Sequence, residues 1–376
     1  MTKKILFVSH DLSRSGAPNM LLQLIQWLRI NTSYSIDLVG LNGGAFYNEF
    51  SMVCDNIFIV NNKALGFKDL LKKKVFKKIG INHLTKDLQL INVLERRNYE
   101  LVYANSALSL PFASKLKQQA PSLKLLLHVH EMEIMIKRMV PYFSFHLLNV
   151  DRFIAASNPV KINLELTYQV SSKNIEVIYE FSDFKDVPSK KNKIDNSFIV
   201  GASGLSHWRK GNDLFLQVAR IVKKKHPDAN IQFVWVGNES TDKLIIDTDL
   251  KKLQLNETVS FIGETSSPMT YFNNFDIFLL TSREDPFPLV CIEVAKLGKP
   301  IICFKNASGT AEIIELGGGK VVPYLDVEAM AVEVINYYTD GELLERDSKK
   351  VQALFSNYNA TNICPQILRV INNLNS

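Results

Sequence analysis

The chain reads as an α/β protein of two domains, each organised around a parallel sheet. Three observations predict this. Short β-branched runs alternate with segments of helical apolar period throughout, the pattern of βαβ units. At 376 residues the chain exceeds what one hydrophobic core usually organises. A stretch at 181–196 is rich in Ser, Lys and Asp, contains Pro188 and lacks apolar periodicity, as a linker does. Two Rossmann-like domains follow, one over 1–182 and one over 183–359.

In chain order, the first domain's strands are expected at 5–8, 36–41, 57–60, 101–103, 125–129, 153–155 and 175–178. The opening run Ile5-Leu6-Phe7-Val8 is too short for a signal peptide's apolar core, and Ser9-His10-Asp11 ends it, so it reads as a buried strand. Leu21, Leu22, Leu24, Ile25 and Leu28 then mark a helix. The second domain's strands are expected at 198–202, 231–236, 259–262, 277–280, 301–304 and 321–322. Leu214, Val218, Ile221 and Val222 share one face of the helix after the first of these. Another helix opens near Leu289, where Pro288 suits the start because its missing N–H would be unpaired anyway. A last helical apolar pattern runs over 363–374.

Composition is that of an ordinary globular protein, 46% hydrophobic and 22% charged. No run approaches the roughly 18 apolar residues of a membrane span. Cys54, Cys291, Cys303 and Cys364 are far apart with no CxxC pair, and read as reduced thiols of a cytoplasmic protein rather than a disulfide or zinc framework. The net charge of +6 is uneven: residues 1–180 carry +8 and the remainder −2. Such asymmetry points to halves that meet different surfaces.

Five βα junctions carry the candidate chemistry. In the run from Thr281 to Glu293, Asp285 and Glu293 flank the apolar Phe287, Pro288, Leu289 and Val290. A strand, short loop and helix place that loop at the carboxyl edge of a sheet, where open α/β sheets bind ligands and helix N–H groups receive anionic oxygen. The bland alternative is a surface loop with a solvated glutamate. Arg209 and Lys210 lie in a second such junction, two adjacent cations suited to a diphosphate, or simply a solvated turn. Gly16, followed by Ala17, lets backbone approach a ligand near a helix start, although a tight turn alone would also require it. The full GxGxxG fingerprint is absent there, which argues against a dehydrogenase. His128-Val129-His130-Glu131 ends a strand; structural histidines are common there, and a metal would need further ligands. Phe261-Ile262-Gly263-Glu264-Thr265 forms a turn after another strand. Gly317-Gly318-Gly319-Lys320 lacks the upstream glycine of a P-loop and is followed by Val321, so that reading is rejected.

Together these motifs resemble the retaining GT-B glycosyltransferases, in particular glycosyltransferase family 4 (glycosyl transferases group 1). The resemblance is densest from 201 to 322, and Gly16 and His130 extend it by order and position. It implies a GT-B fold, two Rossmann-like domains facing a central cleft, with the segment 360–376 returning to the first domain. It implies donor binding by Gly16, Ala17, Arg209, Lys210, Glu264, Thr265, Phe287, Pro288, Leu289, Val290 and Glu293. Glu293 would hold the ribose hydroxyls, Asp285 a donor-sugar hydroxyl, and His130 would face the reaction centre. Two departures stand out: Asp285 occupies the family's first Glu position, and Gly204 lies where many relatives place an Arg, leaving that role to Arg209. The implied activity moves a sugar from a nucleotide-sugar donor, UDP-sugar favoured over GDP- or ADP-sugar, to a glycan or lipid-linked glycan acceptor. Bacterial polysaccharide synthesis is the implied setting, with neither metal nor cofactor. A nucleotide-sugar epimerase and a non-catalytic sugar-nucleotide-binding protein remain as alternatives.

The charge excess is concentrated at 63–78, bounded by Lys63 and Lys78. Phe67, Leu70, Leu71, Val75 and Ile79 share one helical face, with Lys68, Lys72, Lys73, Lys77 and Lys78 opposite or flanking. Such a helix can lie in an anionic membrane interface, which would make the protein peripheral on the inner membrane face. It can equally pack on its own domain with a solvated basic side. Nucleic acid is not expected, since no reader motif or aromatic stacking array is present.

Overall fold

The computed structural model describes residues 3–61, 86–183, 197–238 and 243–374. The chain forms two compact units, Met1–Ile178 with Ala360–Ser376, and Tyr179–Asn359. Each is a Rossmann-like α/β unit with one parallel sheet.

The first unit contains β1 (Lys4–Ser9), β2 (Ser35–Asn42), β3 (Asn56–Asn61), β4 (Leu101–Asn105), β5 (Lys124–Val129), β6 (Arg152–Ala155) and β7 (Ile175–Val177). They form a seven-stranded sheet in the order β3-β2-β1-β4-β5-β6-β7, and every pairing is parallel. Both faces are covered, so the strands are apolar along their whole length: Ile5, Leu6, Phe7 and Val8 are all fully buried. One face packs Leu6, Val8, Val102, Leu125 and Leu127 against Phe112 and Leu116. The direction of strand addition reverses between β1 and β4, which opens a crevice at their carboxyl ends. Register places Ser9 beside Asn105 and Asn105 beside His128 on that edge.

The helix Ala360–Asn373 belongs to this unit and packs against the helix Gly16–Asn31. Its buried Ile363, Ile367, Val370 and Ile371 repeat at helical spacing, each contributing about 1.5–3 kcal/mol on burial. Lys3 Nζ donates to the Ile371 carbonyl at 2.9 Å, and Tyr34 Oη to Asn372 Oδ1 at 2.6 Å.

The second unit contains β8 (Phe198–Ser203), β9 (Ile231–Val236), β10 (Val259–Phe261), β11 (Ile277–Leu280), β12 (Ile301–Phe304) and β13 (Gly319–Val322). The six strands run parallel in the order β10-β9-β8-β11-β12-β13. Here the reversal falls between β8 and β11, so the loops after these strands, 204–211 and 281–288, meet at the sheet's carboxyl edge.

The structure departs from the sequence expectation in two places. Phe181 and Ser182, assigned to the linker, are buried in the second unit; their polar neighbours masked two packed residues. β13 begins two residues early, at Gly319, where glycine and lysine give no strand signal. The basic segment 63–78 and the linker residues 184–196 lie outside the described residues. Among the described residues no helix is long and apolar enough to cross a membrane.

Candidate functional site

In the second unit, β8 runs into a turn that ends at the helix Asn212–Lys225. His207 Nδ1 accepts from the Arg209 N–H at 3.2 Å and caps the single turn Trp208–Lys210. Gly211 follows with φ +71, and a Cβ there would lie 2.0 Å from the Thr281 carbonyl oxygen. Only glycine both adopts that backbone and allows that approach. The two loops are thus sewn together: the Arg283 N–H donates to the Arg209 carbonyl at 2.8 Å, and Thr281 Oγ1 to the Lys210 carbonyl at 3.0 Å. Arg283 adds a two-point ion pair to Asp213 at 2.9 and 2.8 Å. On its other side the 281–288 loop is fixed by the Asp285 N–H to the Ala307 carbonyl and the Gly309 N–H to the Pro286 carbonyl, both 2.8 Å.

This stitching brings Arg209, Lys210 and Asp285 together. Arg209 Nη1 lies 3.1 Å from Asp285 Oδ1 and 3.0 Å from the Glu284 carbonyl; Lys210 Nζ lies 2.5 Å from Asp285 Oδ2. Ser282 Oγ donates to the same Oδ2 at 3.0 Å. Burial alone would raise the Asp285 pKa, but Lys210 first, then Arg209 and the hydrogen bonds, outweigh it and hold the carboxyl below its ordinary range. The resemblance gives Asp285 a donor-sugar hydroxyl; in the structure its oxygens meet the two cations. Gly204 has φ +141, and the Lys210 methylenes lie where its Cβ would make contact at 3.2–3.4 Å. The missing side chain leaves room for the lysine to reach Asp285.

Downstream, Pro288 with φ −67 caps the helix Leu289–Lys296. The first-turn N–H groups of a helix have no intrahelical acceptor, so Leu289 and Val290 present donors at the sheet edge. Glu293 lies on this helix with Oε1 3.1 Å from Ser182 Oγ. Burial raises its pKa, and the Ser182 hydrogen bond and the Lys296 charge only partly oppose that. Phe287 is different: its ring is buried and packs on Phe355, Tyr358 and Tyr179, so its side chain is core. Any contact with a ligand therefore falls to its backbone. Glu264 and Thr265 follow β10, beside the bridge between Gly237 and Gly263, and Thr265 Oγ1 accepts from the Ser267 N–H at 3.1 Å.

In the first unit, Gly16 begins the helix Gly16–Asn31 after β1, and the Ala17 carbonyl accepts from Asn105 Nδ2 at 3.0 Å. Asn105 Oδ1 lies 2.9 Å from His130 Nε2, which links the Gly16 loop to His130 through one side chain. The His130 ring lies against that of His128, centroids 4.0 Å apart and tilted by 36°. His128 is fully enclosed, with Nδ1 2.6 Å from Tyr103 Oη. Burial first, and the neighbouring His130 second, push its pKa well below the usual imidazole value, so it stays neutral. Glu131 is a fastener: Oε1 accepts from Ser106 Oγ at 2.5 Å and Oε2 from the Ala107 and His130 N–H groups at 2.9 and 3.2 Å. Asn105 and Ser106 escaped the sequence reading, and Glu131 was read only as the neighbour of His130. A polar pair ending a strand, Asn105-Ser106, is the signal that was available.

Residues 183–353 match the family model of glycosyl transferases group 1. This group 1 segment spans nearly all of the second unit and includes the Arg209–Lys210 turn, Asp285 and Glu293. An uncharacterized glycosyltransferase of Haemophilus influenzae is 31% identical over 127 residues, 34% of this chain and 35% of that one. The capsular polysaccharide biosynthesis glycosyltransferase CapM of Staphylococcus aureus is 23% identical over 238 residues, 57% of this chain and 62% of that one. The chain thus spans about a third of the first relative's length and under two thirds of the second's. Among solved structures, Anabaena HepE in complex with UDP-glucose has a TM-score of 0.80 at 18% identity, covering 98% of this chain and 99% of that one. At that identity the likeness establishes the fold, which is GT-B.

Proposed function

We propose that the protein is a nucleotide-sugar-dependent, retaining glycosyltransferase whose donor binds on the second unit. The observation that carries the proposal is the Arg209–Lys210 pair, seated in a fixed turn at one helix start and joined through Asp285 to the loop that opens another. Two cations and two sets of first-turn N–H groups form a receptor for a diphosphate. In the proposed reaction the bond from the anomeric carbon to the phosphate oxygen breaks, and an acceptor hydroxyl adds from the same face. The hydroxyl proton passes to the departing phosphate. Arg209 and Lys210 stabilise charge where it develops, the kind of fixed electrostatic term that lowers such a barrier most. Glu293 accepts the ribose hydroxyls, Glu264 and Thr265 flank the base, and Leu289 and Val290 offer backbone donors. Gly16, Ala17 and His130 are assigned to the sugar end of the reaction through the family resemblance.

A UDP-sugar is the favoured donor, an assignment supported by the fold shared with HepE, whose structure holds UDP-glucose. CapM, a capsular polysaccharide biosynthesis glycosyltransferase, supports a glycan or lipid-linked glycan acceptor in bacterial polysaccharide synthesis. The basic segment 63–78 would then bring the enzyme to the inner membrane face. A thermal-shift screen of UDP, GDP, ADP and their sugars, followed by product analysis with donor and acceptor, tests the proposal. Nucleotide stabilisation with transfer and retained anomeric configuration is expected. An epimerised sugar formed from donor alone, or nucleotide binding without turnover, would overturn it.

A further inference from the structure

The donor helix Leu289–Lys296 carries a second arrangement besides Glu293. Lys296, one turn beyond, donates through Nζ to the Ser182 carbonyl at 2.7 Å and the Tyr358 carbonyl at 3.0 Å. The Ser182 N–H also donates to the Tyr358 carbonyl, at 3.3 Å. Ser182 is therefore held at both its N–H and its carbonyl, and it is buried. Its one remaining polar atom, Oγ, points at Glu293 Oε1. Beside this, Tyr358 packs on Phe355, Phe287 and Tyr179 at ring-centroid distances of 5.3 to 5.9 Å, so the segment that fixes Ser182 is itself fixed.

We infer that Ser182 is a positioning residue for Glu293, set in place by Lys296 and Tyr358. The inference rests on the proposed ribose role of Glu293. A carboxylate that accepts two hydroxyls of a ribose must present both oxygens in a fixed plane and remain ionised. Partial burial works against both conditions, because a partly desolvated carboxylate takes up a proton more readily and keeps fewer waters to orient it. Ser182 Oγ–H supplies a directed hydrogen bond to the charged form, worth more than a neutral one. It fixes the rotation of the carboxyl and leaves Oε2 and the second lone pair of Oε1 for the ligand. The charged groups around Glu293 are Lys296 on its own helix and, acting on Lys296, Asp183 on the segment that carries Ser182.

The test compares a nucleoside diphosphate with its 2′,3′-dideoxy counterpart, which lacks the ribose diol. UDP, GDP and ADP are screened by calorimetry, and the tightest binder is paired with its dideoxy form. Wild-type protein should prefer the diol, and Glu293→Gln should abolish that preference. Ser182→Ala should reduce affinity for the full nucleotide about tenfold, leaving the dideoxy form and inorganic pyrophosphate unaffected. Ser182→Thr, which keeps a hydroxyl at the same carbon, should restore the preference. A general loosening of the fold would weaken all three probes together, and that result would overturn the inference. So would an unchanged diol preference in Ser182→Ala while Glu293→Gln removes it. A diol preference that persists in Glu293→Gln, or no binding by any of the three nucleotides, removes the ribose assignment itself and the inference with it.

Discussion

Removing Lys210 should separate what holds the site together from what the site does. Its ammonium is 2.5 Å from a carboxylate whose side chain is 7% exposed. Breaking a buried ion pair by deleting one partner costs about 3–5 kcal/mol, because a charge is left without its counterpart. Asp285 would keep Arg209 at 3.1 Å and Ser282 at 3.0 Å, so the lower end, about 3 kcal/mol, applies to Lys210→Ala. In a unit of this size each kcal/mol moves the melting temperature about 2–4 °C, which gives a fall of about 6–12 °C. Lys210→Ala combined with Asp285→Asn leaves less charge buried and should recover most of that loss. Turnover should not recover, since both variants lack a cation on the departing diphosphate; each should fall about 10²-fold. Calorimetric melting without nucleotide, alongside initial rates of transfer, reads both quantities. The sign with pH also follows. Asp285 has a folded pKa below its unfolded value, so its stabilisation is present above the ordinary carboxylate range and is lost as pH falls through the depressed value. The melting difference between wild type and Asp285→Asn should therefore close only in strong acid. A double variant no more stable than Lys210→Ala, or Lys210→Ala with wild-type turnover, would refute the reasoning.

Gly211→Ala should cost at least about 1–2 kcal/mol from the positive φ alone, and more as the turn moves off the Thr281 carbonyl. Its donor KM should rise well beyond what the melting shift explains, and an unchanged KM would count against the fixed turn. Glu293→Gln should weaken nucleotide binding while raising the melting temperature near pH 8. Its folded pKa lies above the unfolded one, so the ionised form costs stability as pH rises through that window, and the gain should disappear below about pH 4. A melting temperature that falls at pH 8 would show that Glu293 stabilises the fold instead. Neutralising Lys72, Lys73, Lys77 and Lys78 together removes about 1 kcal/mol of attraction per lysine near an anionic surface. Co-sedimentation with anionic vesicles at low salt should drop while nucleotide binding stays; wild-type protein that ignores such vesicles ends the membrane proposal.

The strands were legible because parallel strands covered on both faces are continuous apolar runs, and Ile277-Phe278-Leu279-Leu280 could hardly be anything else. Arg209, Lys210 and Asp285 were legible as candidates, but their mutual pairing was not. It depends on β8 and β11 lying side by side at the switch point, a property of topology rather than of either loop. Ser106 holds φ +96, a backbone state that serine does not announce, and its partner Glu131 was read only as the neighbour of His130. Phe287 read as part of a binding motif because its neighbours are, whereas its ring serves the aromatic packing behind the loop. Ser182 was lost inside a run of polar residues whose composition outweighed the two that are packed.

The turn that carries Arg209 and Lys210 is fastened mainly through its main chain: Lys210 and Gly211 N–H groups to the His207 carbonyl, and the Arg283 N–H to the Arg209 carbonyl. Main-chain bonds do not read the side chains they pass. Substitution at 209 or 210 therefore removes the charge and the pairing with Asp285, while the backbone path of the turn stays set by Gly211 and the Thr281 carbonyl. Such a division separates the charge that the turn displays from the path its backbone follows.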